Sequence, residues 1–421
     1  MKVRKIVLGI LFLPLVLTQN AALGQSADSA KVKLRFKGFI KADAIFDSRQ
    51  TVSARESFVL MYPKKPLFDK NGFDLNSLPQ YNQYGTSSRL IFTVDTLKYH
   101  DYRISAYFET DFTGASEASN SGLRLRHGYM KIDHHQMQLL IGQYWHPLAA
   151  PEAFPDMLSL NLGNPIKSAM RAPQVRFQYR VHAFDFVAVA SAHRDNSSIG
   201  PSGVVPDYLK NQVIPGLHVQ TLYHKNNLLL GAGYDFKRLN MRTKTDSNVA
   251  VNEYVSSSAL HVFGKLELSK VIVKAQCVWG ENLYDQAMLG GVGVTAVDTL
   301  TQGQTYAPIA QASMWVNVAT KFPKFNVSLF AGYAQNMGSQ KPFVGSVYAR
   351  GNDIAYIYPG KDIAYIYRIA PQLSYKMGKV ILFSETEYTV AAYGTRDNYC
   401  KVSSTKEIGN LRENLSILFL F

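Results

Sequence analysis

An apolar–polar alternation with a period of two runs along this chain in stretches too long for an ordinary strand. Between residues 33 and 47, one face carries Leu34, Phe36, Gly38, Ile40, Ala42, Ala44 and Phe46. The other carries Lys33, Arg35, Lys37, Lys41, Asp43 and Asp47, interrupted by Phe39 and Ile45. Successive side chains on a strand point to opposite sides, so this segment is a strand with one apolar and one ionic wall. Strands in soluble sheets average about 5–6 residues. A strand crossing a membrane within a barrel needs about 9–11, with lipid on one side and water on the other.

The pattern recurs. Leu90, Phe92 and Val94 oppose Arg89, Thr93 and Asp95; Tyr102, Ile104, Ala106, Phe108 and Phe112 oppose Arg103, Ser105, Glu109 and Asp111. Leu123, Leu125 and Tyr129 oppose Arg124 and Arg126, and Val175, Phe177, Tyr179 and Val181 oppose Arg176, Gln178 and Arg180. With the later segments, about sixteen strands are predicted, joined alternately by tight polar turns and by long connections. An open sheet rarely exceeds about 10 strands. The prediction is therefore all-β: a transmembrane antiparallel β-barrel with short periplasmic turns and long extracellular loops. The last strand places Leu411, Leu415, Ile417, Phe419 and Phe421 on one face and ends the chain on an aromatic. Such a terminal Phe421 resembles the signal read by outer-membrane assembly machinery.

Residues 1–24 read as a signal peptide. Lys2, Arg4 and Lys5 precede an apolar run from Ile6 to Leu17, and Ala22-Leu23-Gly24 places small residues at the cleavage site. Residues 25–421 then form a single barrel domain, expected in a bacterial outer membrane with the lipid bilayer as its surroundings. Hydrophobic residues are 47% of the chain, which excludes disorder, and two cysteines are too few for a disulfide scaffold or a structural zinc site.

The net charge of +14 rests on only 18% charged residues, below the roughly 25% of ordinary proteins, so the charges must be concentrated. An unpaired charge in hydrocarbon is costly, and charged residues on these strands are therefore predicted to face the lumen. The expected lining is Arg35, Lys37, Lys41, Arg89, Arg103, Arg124, Arg126, Arg176 and Arg180, with Asp43, Glu109 and Asp111 as an opposing acidic wall. A basic excess in a low-dielectric channel favours anions. The +14 also raises nucleic-acid binding, but that needs an exposed patch and not a lumen wall, and none is expected.

A Pro-rich insertion at 146–171 follows the predicted fifth strand. It runs His146-Pro-Leu-Ala-Ala-Pro-Glu-Ala-Phe-Pro and continues through Asn161-Leu-Gly-Asn-Pro165. Its position as the third long loop and its stiffness fit a constriction folded into the pore, with Lys167 and Arg171 as its share of an anion site.

Five segments, Phe36 to Phe46, Tyr107 to Phe112, Gly122 to His127, Leu140 to Trp145 and Arg171 to Arg176, resemble DcaP-like outer-membrane porins. The resemblance is dense over 34–180 and afterwards carried only by the strand rhythm. It implies a sixteen-stranded homotrimeric channel passing small anionic solutes such as dicarboxylates, with Arg35, Lys37, Arg124, Arg126, Arg171 and Arg176 as contacts. Some family members carry a coiled coil before the barrel. Only Gln25–Lys31 stand there in this chain, so a trimer is expected to rest on barrel-to-barrel packing.

No metal and no cofactor are expected. His134-His135 sits in a tight turn without a Cys or carboxylate at suitable sequence spacing. No G-x-S-x-G, H-E-x-x-H, P-loop or G-x-G-x-x-G pattern is present, and no catalytic residue is assigned. Asp353-Ile-Ala-Tyr-Ile-Tyr358 recurs as Asp362-Ile-Ala-Tyr-Ile-Tyr367, the second copy opening a strand. The expected activity is passive diffusion of small, preferentially anionic solutes. The alternatives are a substrate-specific channel for sugars or hydrophobic solutes, and a non-conducting structural barrel or anchor.

Overall fold

The computed structural model describes residues 33–351 and 361–421. The predicted leader and the first copy of the duplicated hexapeptide lie outside them.

Sixteen antiparallel strands close into a barrel among the described residues. They begin with β1 (Leu34–Asp47), an interrupted β2 (Gln80–Tyr84 and Arg89–Tyr99), β3 (Tyr102–Asp111) and β4 (Arg124–His134). There follow β5 (Met137–Trp145), β6 (Arg171–Val181), β7 (Phe184–Ser191) and β8 (Gly216–Lys225). The second half comprises β9 (Leu228–Lys244), β10 (Ala250–Glu267), β11 (Val271–Glu281) and β12 (Gln304–Thr320). It ends with β13 (Phe325–Gly338), β14 (Lys361–Met377), β15 (Val380–Arg396) and β16 (Val402–Leu420). The second copy of the duplication opens β14, as expected.

Closure joins the first strand to the last, with Phe39 opposite Leu420 and Asp47 opposite Arg412. Gly38 and Phe421 complete the seam: Phe421 donates its N–H to Gly38 O at 3.1 Å, and its ring lies 5.6 Å from that of Phe36. Among the described residues the barrel wall has no free edge left to aggregate.

Alternation becomes geometry along every wall. Val262 is 59% exposed while its neighbour His261 is 2% exposed, and Leu415 is 53% exposed beside Asn414 at 0%. The outer belt includes Phe92, Phe108, Phe177, Val219, Met314 and Ile369. An apolar surface this extensive is stable only against lipid, so the chain is a membrane-spanning barrel. No helix among the described residues is long and apolar enough to cross a membrane.

Tight turns join β2–β3, β4–β5, β6–β7 and β8–β9 at one rim, the periplasmic one in outer-membrane barrels. The opposite rim carries the expected long connections, with two short exceptions. Only residues 245–249 link β9 to β10, and 397–401 link β15 to β16. There the strands themselves are long, at 17 and 18 residues for β9 and β10 and 19 for β16. A span of about 9–11 residues suffices for the membrane, so these walls project beyond it.

Long connections fold inward. In the β1–β2 loop, a small hairpin pairs Thr51–Ala54 with Val59–Pro63. Its Phe58 and Leu60 are completely buried. The 146–170 segment enters the lumen as two 3-10 turns, Pro147–Ala149 and Pro151–Ala153, each opened by a proline whose missing N–H costs nothing at that position. The apolar core therefore lies inside the barrel, between these loops and the wall: Met61, Tyr62 and Ile166 pack against Trp315, Phe330 and Ile366.

Candidate functional site

The insertion is fixed to the far wall by polar contacts. Glu385 on β15 accepts the backbone N–H groups of Leu158 and Ser159 at 2.8 and 2.9 Å, and Glu387 accepts from the Asn161 side chain at 3.1 Å. Lys274 on β11 pairs with Asp156 at 2.8 Å, and Gln276 donates to Leu148 O at 2.9 Å. These contacts carry the 146–170 segment from β5 across to β11 and β15.

The hairpin of the first loop is held by arginines of the same wall. Arg412, paired with Asp47 at 2.7 Å, also donates to Ser57 O at 2.7 Å and Phe58 O at 3.2 Å. Arg368 reaches Met61 O at 3.1 Å and the Tyr393 hydroxyl donates to Pro63 O at 2.6 Å. A carbonyl buried beside an arginine is satisfied without further desolvation cost.

With one side of the lumen filled, an open chamber of about 420 Å³ remains, lined in part by the β4–β6 wall. Arg55 comes to it from the hairpin, Arg124 and Arg126 from β4, and Arg171 from the start of β6. Arg194 comes from the β7–β8 loop and Arg350 from the short loop strand Val347–Arg350. Asp195 is the only carboxylate residue among the described residues of the lining. Leu160, Leu162 and Asn164 of the insertion, Trp145 and His193 complete much of the rest.

Carboxylates of β3 and of the loops hold most of these guanidinium groups in place. Asp111 accepts from Arg124 at 2.7 Å and from Arg126 at 2.8 Å, and Glu109 accepts from Arg126 and pairs with Arg89 at 3.4 Å. Arg171 pairs with Asp195 at 2.8 Å while its guanidinium lies 4.8 Å from the centre of the Trp145 ring. Arg55 faces Glu117 at 3.7 Å; burial, and then the neighbouring Arg124 cation, lower its guanidinium from the ordinary value. Arg350 donates to the carbonyls of Met288 and Tyr284, both at 3.1 Å. Arg194 is exposed and has no ion-pair partner among the described residues. Arg55, Arg89, Arg124, Arg126, Arg171, Arg194 and Arg350 thus outnumber Glu109, Asp111, Glu117 and Asp195.

A filled, asymmetric lumen with a residual polar chamber, inside a sixteen-stranded wall with a lipid-facing belt, decides the architecture. The fold is that of an outer-membrane porin. No protein-family model matches the chain, and no curated protein matches it in sequence. Solved outer-membrane barrels match it in fold. The outer membrane channel DcaP of Acinetobacter baumannii is similar with a TM-score of 0.65 at 14% identity, covering 94% of this chain and 99% of that one. The anion-selective porin from Comamonas acidovorans gives 0.53 at 9% identity, over 93% and 100% of the two chains. OmpT of Vibrio cholerae gives 0.53 at 10%, over 95% and 99%.

Within this porin fold, the residues expected to line the pore separate into groups. Arg124, Arg126 and Arg171 converge on the chamber, and Arg89 stands behind them. Arg176 is buried against Glu152 of the insertion at 3.0 Å. Lys41 is buried too, paired with Asp43 at 2.9 Å and donating to Leu158 O, so it anchors the insertion. Glu109 and Asp111 are buttresses of the arginines and do not form a facing wall; Asp43 binds Lys41, Ser87 and Ser416.

Five of the expected pore-lining positions lie away from the chamber. Lys167 points into the insertion and away from the chamber: completely buried, it donates to Ser168 O at 2.8 Å and sits 3.8 Å from the centre of the Phe154 ring. Burial pushes its ammonium well below its ordinary value. Arg35 forms an exposed pair with Asp95 at 2.8 Å near the start of β1, and Lys37 is exposed on the same end. Arg180 pairs with Asp185 at the turn end, and Arg103 lies at that rim beside Lys98 and Asp133. These four basic positions sit away from the constriction because alternation specifies the face of a strand and not the depth.

Arg55, Arg194 and Arg350 were missed, since loops carry no periodicity to assign their direction. So was a neighbouring set: Asp285, in the β11–β12 connection, contacts Lys237 on β9 and His193 at 3.4 Å. Burial opposes its charge, yet Lys237 and His193 hold its carboxyl well below the usual carboxylate range.

Proposed function

We propose that this protein is a porin for passive diffusion of small anionic solutes, dicarboxylates among them. The observation that carries the reading is the six arginines around one chamber whose lining offers a single carboxylate residue, Asp195. Low-dielectric walls strengthen the field of fixed charges, and an excess of guanidinium groups raises the local concentration of anions. Each guanidinium fork matches a carboxylate in two parallel hydrogen bonds, so a dicarboxylate can bridge two arginines contributed by different loops. All of these arginines but Arg194 are already engaged by buttressing carboxylates or carbonyls, which tempers the attraction and lets a solute leave as well as enter. This reading assigns no catalytic residue and no cofactor. It has the barrels assemble as homotrimers through their apolar outer faces, after insertion by machinery that reads Phe421.

The test is a reversal potential across a planar bilayer under a salt gradient, with refolded protein. An anion-selective potential that weakens as total salt rises is the expected result, since screening shortens the reach of the arginines. A cation-selective potential, or no conductance at all, overturns the reading.

A further inference from the structure

A second set of chemistry-bearing side chains lies at the turn rim, far from the chamber. The β2–β3 turn carries His100 and Asp101, and the β4–β5 turn carries His134 and His135. Because Tyr102 stands opposite His134 in the β3–β4 ladder, the two turns lie side by side. Donor atoms of Asp101, His134 and His135 come within 4.8 Å of one another. The sequence separation of Asp101 from the histidine pair concealed this; hairpin pairing removes it.

The surroundings favour a defined site. The Tyr102 ring stacks on His134 with centroids 4.4 Å apart, restraining that imidazole. Asp133 is engaged by Lys131 at 3.5 Å and Gln138 at 2.8 Å, whereas Asp101 has no side-chain partner among the described residues. His100 and His135 occupy left-handed backbone positions, φ 49° and 50°, where Asn or Gly forms a tight hairpin turn with least strain. A hollow of about 490 Å³ between the turns, lined by Lys98, His100, Asp101, Arg103, Asp133 and His135, leaves room for an ion and its waters.

We propose that Asp101, His134 and His135 form a binding site for a divalent transition metal, with Zn²⁺ as the best match. Two imidazoles and one carboxylate are a three-ligand set that leaves the fourth zinc position open to water. Imidazole nitrogen selects Zn²⁺, Cu²⁺ or Ni²⁺ over Mg²⁺ and Ca²⁺, which take oxygen ligands. A bound ion clamps two neighbouring hairpins at the rim, and the positive Lys98 and Arg103 beside it keep the affinity moderate. His100 is the adjacent group able to supply a further nitrogen.

The test uses the full refolded barrel without a polyhistidine tag, titrated with ZnCl₂ in competition with a chromogenic chelator. Saturable binding of one equivalent, undisturbed by excess Mg²⁺ and lost in H135A and in D101N, is the expected result. The substitutions are at an exposed rim, and D101N exchanges only one oxygen for an amide, so each variant is checked for the heat-modifiable mobility of a folded barrel. Absence of stoichiometric binding overturns the site. So does equal displacement by Mg²⁺, or binding retained in folded D101N and H135A.

Discussion

Arg126 on β4 donates to Asp111 on β3 across 2.8 Å, and the two side chains are 2% and 0% exposed. The pair is a buttress: Asp111 also holds Arg124, and Arg126 also reaches Glu109. Removing one partner from an isolated buried pair costs about 3–5 kcal/mol, and less where, as here, Arg124 still holds Asp111 and Arg89 still faces Glu109. R126Q is therefore expected to destabilise the barrel, and R126Q/D111N to lose less than the R126Q and D111N losses added together. Urea unfolding of the refolded protein in detergent reads these losses. A double loss equal to the sum of the R126Q and D111N losses would show that the pair carries no coupling.

Arg194 and Asp195 are adjacent in sequence but unequal in their bonds. Asp195 is committed to Arg171, while Arg194 is exposed without an ion-pair partner. If the chamber selects by charge, neutralising them moves selectivity in opposite directions. R194Q lowers the anion-to-cation permeability ratio and D195N raises it, as read from reversal potentials at low salt. Shifts of the same sign in both variants would remove selection by chamber charge.

The strands were legible in the sequence because lipid imposes a period of two on whatever crosses it. From Lys33 to Asp47 that constraint covers the whole of β1. It lapses above the membrane, which is why the alternation in β9 stops near Lys237 although the strand continues to Lys244. Inward direction was legible for Arg124 and Arg126 by the same logic. Their true partners were partly legible, since Glu109 and Asp111 alternate inward on the adjacent strand. The basic excess looked larger than it is, because Glu152 and Asp195 arrive from loops and Asp185 from β7 to pair with Arg176, Arg171 and Arg180. Loop residues such as Arg55 and Arg350 reach the chamber through tertiary contacts that leave no local pattern.

Glu385 ties the insertion down by accepting two backbone N–H groups, from Leu158 and Ser159. E385A removes both acceptors and leaves these donors in a buried place, where an unmade hydrogen bond costs about 1–3 kcal/mol. The segment around 158–161 is then expected to lift from β15, giving a larger and noisier single-channel conductance than the unmodified protein. A trace identical in level and noise would mean that the remaining ties, Asp156 to Lys274 and Asn161 to Glu387, suffice to hold it.

Lys167 gives a prediction with a definite sign. It is completely buried, and among the described residues its partners are one carbonyl and one aromatic ring, with no carboxylate. Burial lowers its proton affinity in the folded protein, while in the unfolded chain a lysine keeps its proton up to about pH 10.4. Between the lowered folded value and that limit, the unfolded state binds more protons than the folded one. Stability therefore rises with pH across this window and levels off above it. Replacing the ammonium by an apolar group of similar length removes the desolvation cost. K167M is thus expected to be at least as stable as the unmodified barrel at neutral pH and to show a shallower rise in unfolding temperature toward alkaline pH. A steeper rise, or a marked loss of stability at neutral pH, would mean that the Lys167 ammonium is charged and satisfied where it lies.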